Sequence, residues 1–104
     1  MKVVALASDL MDRSRMTGAI DGIAFARDAS ECSGADVVIV DLARFGAMVG
    51  ELRRVVPDAR IVAFGPHVDE DAASDAREAG ADLVWPRSRF FRDPSAALSD
   101  SSSR

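Results

Sequence analysis

Five residues of this chain combine reactive side chains with suggestive positions: Ser8, Asp9, Asp41, His67 and Arg87. Asp41 is the most pointed of them. It ends the run Val37-Val38-Ile39-Val40, which is short and β-branched enough to read as a strand buried on both faces. An acid at that place sits at the carboxyl end of a strand, where open α/β sheets bring ligands and chemistry. His67 follows Gly65-Pro66, and a loop imidazole there can act as a general base or hold an anion, although such a histidine is more often solvated. Arg87 opens the basic cluster Pro86-Arg87-Ser88-Arg89-Phe90-Phe91-Arg92. Its guanidinium suits a phosphate or an acidic partner surface; the plainer alternative is a solvated connection paired with Asp82, Asp93 and nearby helix acids. Ser8, His67 and Arg87 are therefore the candidates for holding a ligand or anion. A Ser-His-Asp relay does not follow, because sharing an edge does not set hydrogen-bond geometry.

The elements that must position these residues alternate regularly. Residues 2–7 read as a first strand, and Ser8 or Asp9 caps a helix over about 11–20. A weaker strand follows at 22–26, and residues 28–34 leave room for only about two helical turns before the strong strand at 36–41. Residues 46–56 are helical by pattern, with Met48, Val49, Leu52, Val55 and Val56 on one side, until Pro57-Asp58. A fourth strand occupies 60–64, an alanine-rich helix capped by Asp69 runs to Ala79 and stops at Gly80, and a short fifth strand covers 83–85. Asp93-Pro94 opens a last short helix, and residues 99–104 form a polar tail. This alternation predicts an α/β fold: a flavodoxin-like three-layer sandwich on a five-stranded parallel sheet of order 2-1-3-4-5, with shortened second and fifth helices. Residues 1–98 form the single domain of this reading.

Composition excludes several classes. A chain of 104 residues with 48% hydrophobic and 29% charged content is globular in character. No apolar stretch approaches the roughly 18 residues a bilayer span needs, and Ser8-Asp9 interrupts any leader-like run. A net charge of −4 argues against nucleic acid as the partner. The lone Cys32 allows no internal disulfide and argues against a thiolate metal site, so a cytoplasmic setting is expected. Gly18 and Gly22 do not compose a dinucleotide loop, and no flavin site is supported by the acidic stretch Ser8-Asp9-Leu10-Met11-Asp12.

Three segments resemble the receiver domain of bacterial response regulators: Ala35-Asp36-Val37-Val38-Ile39-Val40-Asp41-Leu42, Ala59-Arg60-Ile61-Val62-Ala63-Phe64, and Ala76-Arg77-Glu78-Ala79-Gly80-Ala81-Asp82. Their order and spacing span most of residues 2–90. The resemblance implies that Asp41 takes the phosphoacceptor place and that Mg²⁺ is the implied cofactor, with Asp9 and Asp41 as its ligands; this ion takes oxygen donors and keeps several waters. It also implies a signalling role exercised by association with a protein partner, a homodimer included. Three positions depart from the family pattern. Ser8 stands where the first acid of a pair is expected, Gly65 where a Thr or Ser is expected, and Trp85 where a lysine precedes the proline. These departures predict a pseudo-receiver that works without aspartyl phosphorylation and is not an enzyme. The competing expectation is a small-ligand or enzymatic module whose pocket is lined by Asp9, Asp41, His67 and Arg87. A short fifth helix is expected either to expose Leu83, Trp85, Phe90, Phe91 and Leu98 for self-association or to fold its phenylalanines back over the core.

Overall fold

The computed structural model describes residues 1–66 and 70–98. Five strands, β1 (Val3–Leu6), β2 (Ala24–Phe25), β3 (Val37–Asp41), β4 (Arg60–Gly65) and β5 (Leu83–Pro86), form one sheet of order β2-β1-β3-β4-β5. Every pairing is parallel. β3 is central because it can be: all five of its residues are buried, and only a strand apolar on both sides tolerates helices on both faces.

Side-chain parity along the strands divides the core in two. Val4, Leu6, Val38, Val40, Ile61 and Ala63 face one layer, together with Val49 and Leu52 of α3 (Val49–Val55) and Ala76 of α4 (Glu70–Ala79). Val3, Ala5, Val37, Ile39, Val62 and Phe64 face the other. That second layer is closed by Met16 of α1 (Leu10–Ala19), Phe90 of α5 (Arg87–Arg92) and Ala97 of α6 (Pro94–Leu98). Cys32 lies fully buried in the 3-10 turn Ala29–Cys32 that replaces a second crossover helix. Burial pushes its thiol up to about 11, so it behaves as a small hydrophobe.

Two segments differ from the sequence expectation. The region read as one helix over 46–56 begins at α2 (Leu42–Phe45), directly after β3, passes through a 3-10 turn at Gly46–Met48 and continues as α3. Asp41 starts it, accepting the Ala43 amide at 3.0 Å. The basic stretch read as a solvated connection is α5, followed by α6 with Pro94 at its first position. This helical pair determines the fate of the aromatic cluster. Phe90 is fully buried and Trp85 is 9% exposed, with Leu83, Phe91 and Leu98 packed against the same core. The exposed self-association cluster is therefore not formed, and the phenylalanines close the core instead.

Asp82 ties the start of β5 to β4, accepting the Ile61 amide at 2.8 Å and the Arg53 guanidinium at 2.7 Å. The chain reaches Asp82 through Gly80 at φ +132°, where an added Cβ would stand 2.9 Å from the Cβ of Arg53. Only glycine meets both the backbone and the packing requirement there. The expected cap Asp69 and the tail 99–104 lie outside the described residues.

Candidate functional site

Parallel strands bring all their carboxyl ends to one edge, and parity then selects a side of it. Asp41 continues the Val37, Ile39 series, so it belongs to the face covered by α1 and α5. Asp41 is 4% exposed. Burial raises its pKa above the ordinary carboxylate value; the Ala43 amide and the nearby Arg87 charge act in the opposite direction, and Asp12 adds to the rise.

The partner that completes this corner is a residue that the sequence pattern does not single out. Asp9 caps α1, its side chain accepting the Asp12 amide at 2.9 Å. That cap sets the first turn so that Asp12 and Met16 of α1 and Ile20 just after it, spaced by four, form one inward stripe. Asp12 is 3% exposed, a carboxylate on an otherwise apolar stripe. Arg87, the first residue of α5, reaches it bidentately: Nη2 donates to Oδ1 at 2.7 Å and Nη1 to Oδ2 at 3.1 Å. Its guanidinium also stands 5.4 Å from the Phe64 ring and 5.1 Å from the Phe91 ring. Asp12 holds the Arg87 pKa above its usual value, with Asp41 and Asp9 contributing. An acid at the head of an apolar i, i+4, i+8 stripe is the available signal, masked because an acid in a first helical turn already has an explanation in the helix dipole.

The other candidates fall differently. Ser8 and Asp9 are exposed at the exit of β1, and Asp9 serves as a helix cap. His67 lies outside the described residues. Gly65 ends β4 beside Pro86 of β5. A side chain there would begin 3.3 Å from the Leu42 Cβ, so Leu42 leans over the place where a hydroxyl-bearing residue would stand. Trp85 belongs to the core beneath α5, with the Arg89 guanidinium 4.2 Å over its ring. Of the expected pocket set, Arg87 and Asp41 come together, with Asp12 in place of Asp9 as the second buried acid. A cavity of about 280 Å³ opens nearby between α4 and the β4–β5 edge, lined by Leu42, Gly65, Pro66, Arg77, Val84 and Trp85 among others. Its lining takes in Ala43 and Pro86, next to the polar corner, but none of Asp9, Asp41 or Arg87.

Among the described residues, no three carboxylate, thiol or imidazole groups gather as a metal cage. Both Asp12 oxygens are engaged on Arg87, one of Asp9 on the Asp12 amide and one of Asp41 on the Ala43 amide, which leaves one oxygen each on Asp9 and Asp41. With Asp12 taken by Arg87 and no third donor among the described residues gathered beside Asp9 and Asp41, the set as arranged makes no cage for the Mg²⁺ that the family resemblance implies.

Asp41→Asn should raise the melting temperature at about pH 7.5 by roughly 3–6 °C. Asparagine keeps the cap on Ala43 while removing a buried charge, a change of about 1 kcal/mol. A carboxyl whose pKa is raised on folding contributes stability below its unfolded value, 3.8, and loses it as the pH rises through the folded value. The advantage of the asparagine should therefore shrink as the pH falls from neutrality toward 3.8, and thermal melts across that window check it.

No family model and no curated protein matches the chain. Solved structures do. A response regulator protein from Burkholderia pseudomallei, with a phosphorylated aspartic acid, calcium ion and citrate, superposes with a TM-score of 0.76 at 19% identity, covering 97% of this chain and 67% of its own. A response regulator receiver domain protein from Clostridium thermocellum gives 0.74 at 20% identity over 98% and 92%. A CheY-like protein, tadZ, from Pseudomonas aeruginosa gives 0.74 at 19% over 92% and 94%. The chain thus has the CheY-like, flavodoxin-like fold of response regulator receiver domains, with their sheet order 2-1-3-4-5. No helix among the described residues is long and apolar enough to cross a membrane.

Proposed function

We propose that this chain is a receiver-like signalling module that acts through association with a protein partner and does not use aspartyl phosphorylation. The observation that carries this reading is the pair of residues at the ends of β4 and β5. Gly65 has no hydroxyl and Leu42 crowds the space beside it. Trp85 is packed into the core where the family pattern has an amine. A phosphoryl group on Asp41 would therefore meet neither a hydrogen-bonding hydroxyl nor a lysine, the groups that let a receiver read its own modification. The structurally similar Burkholderia protein carries a phosphorylated aspartate; the Asp41 corner has the acid without a hydroxyl at Gly65 or an amine at Trp85.

A module of this kind transmits by binding, so its work is non-enzymatic and its partner a protein, a second copy being one candidate. A cytoplasmic setting accords with one buried cysteine and no disulfide. The test is labelling with radioactive acetyl phosphate and Mg²⁺. The wild type should acquire no acid-stable, base-labile label above that of Asp41→Asn. Label present in the wild type and absent from Asp41→Asn would refute the proposal.

A further inference from the structure

We propose that Arg87 is a built-in counter-cation: its guanidinium neutralises the buried Asp12 carboxylate at the carboxyl edge in place of a divalent ion and closes the corner to one. The inference rests on reading this edge as a receiver-like site, and it concerns how that site is kept neutral.

Four observations support it. Asp12 is a carboxyl group with 3% exposure, and a counter-charge is what stabilises its ionised form at such burial. Both of its oxygens receive Arg87, at 2.7 and 3.1 Å, so the counter-charge comes from the chain itself. Arg87 is also held in place. Pro86 precedes it at φ −61°, and Phe90, one turn later, is fully buried. The Phe64 and Phe91 rings lie on its flank at 5.4 and 5.1 Å.

A divalent ion taking an Asp12 oxygen at about 2.1 Å would have to displace the guanidinium, and would then face a cation still anchored beside it. Two positive charges would compete for one buried pair of acids. The bidentate, pre-positioned guanidinium is the occupant favoured by this geometry. The consequence is a corner whose charge balance does not follow the concentration of free Mg²⁺ or Ca²⁺. Without Arg87, the buried pair Asp12 and Asp41 would be left with only the exposed Asp9 nearby. That set suffices for a weak Mg²⁺-type site, because this ion keeps several waters and needs one or two carboxylates.

The experiment titrates the full chain with Mn²⁺ alone, without any phosphodonor, and follows site-specific paramagnetic broadening by NMR. In the wild type, the amides around Asp12 and Asp41 should show no saturable broadening. Arg87→Gln, which keeps hydrogen bonding but removes the charge, should gain a saturable site about tenfold or more tighter than any wild-type binding. Arg87→Gln with Asp12→Asn should lose that gain. Saturable wild-type broadening centred on Asp12 and Asp41 would overturn the proposal, as would a folded Arg87→Gln that binds no better than the wild type. Should Arg87→Gln melt too low for NMR, its melting temperature is read with and without Mg²⁺: recovery of at least half the loss supports the proposal, and no recovery refutes it. Because no phosphodonor is present, this outcome is independent of the acetyl phosphate test. Labelling of Asp41 would defeat the functional reading even if Mn²⁺ bound only after Arg87 had been replaced.

Discussion

Replacing Arg87 by alanine is expected to lower the melting temperature by about 10 °C, one of the two largest effects the structure predicts. The cause is the acid left behind more than the arginine lost. Asp12 is buried with both oxygens on Arg87, and truncation strands that charge. Breaking a fully buried ion pair costs about 3–5 kcal/mol. The Arg87 side chain is 41% exposed, so water enters the vacated space and lowers the cost to about 2 kcal/mol. A domain of this size loses roughly 4–8 °C per kcal/mol. Adding Asp12→Asn should recover a large part of the loss, because the stranded charge is then gone while the missing arginine is not. Equal destabilisation of the single and double variants, read from thermal melts, would show that Arg87 acts only through its contacts with the Phe64 and Phe91 rings.

The second large effect is expected at Phe90→Ala, with a loss of about 4 kcal/mol in denaturant unfolding. Phe90 is fully buried, stacked on Phe64 at 4.8 Å and edge-on to Phe91 at 4.9 Å. A cavity at that place cannot collapse easily, because β4 forms its floor and α5 and α6 form its wall. Against a typical stability of about 5–15 kcal/mol, the variant should sit close to unfolding at 37 °C. Phe90→Leu, which keeps most of the volume, should cost less than half as much. A loss under about 1 kcal/mol for Phe90→Ala would mean that α5 does not close the core as described.

The contrast between these two residues explains what can be read from the chain. The strand Val37–Asp41 declares itself, because a β-branched run ending on an acid has few other readings. The repeated strand–helix alternation then leads to the sheet order, and parity alone places Asp41 on the α1–α5 face. Arg87 and Asp12 are harder to join. They are 75 residues apart in sequence, and neither composition nor periodicity pairs distant charges. The helix Arg87–Arg92 is obscured by its three arginines, which make a helix with one buried phenylalanine resemble a solvated loop. Its fixing contact is tertiary: Phe90 has nowhere to go except onto Phe64. The start of α2 is hidden for a related reason, since Asp41 serves at once as the last residue of β3 and the cap of the next helix.

Asp41 lies at the carboxyl end of β3, the place the family resemblance gives to a phosphoacceptor. In the proposed reading, Gly65 and Trp85 stand where the family pattern has a hydroxyl and a lysine, and the positive charge at the corner is Arg87, paired with Asp12. This combination suits a module whose binding face is set when it folds. The most direct measurement is a ¹H–¹⁵N NMR titration with beryllofluoride and Mg²⁺, which together mimic the phosphorylated aspartate. The account predicts a spectrum unchanged at Asp41, Ala43, Gly65 and Trp85 at concentrations that saturate ordinary receivers. Saturable shifts at those residues, abolished by Asp41→Asn, would contradict it.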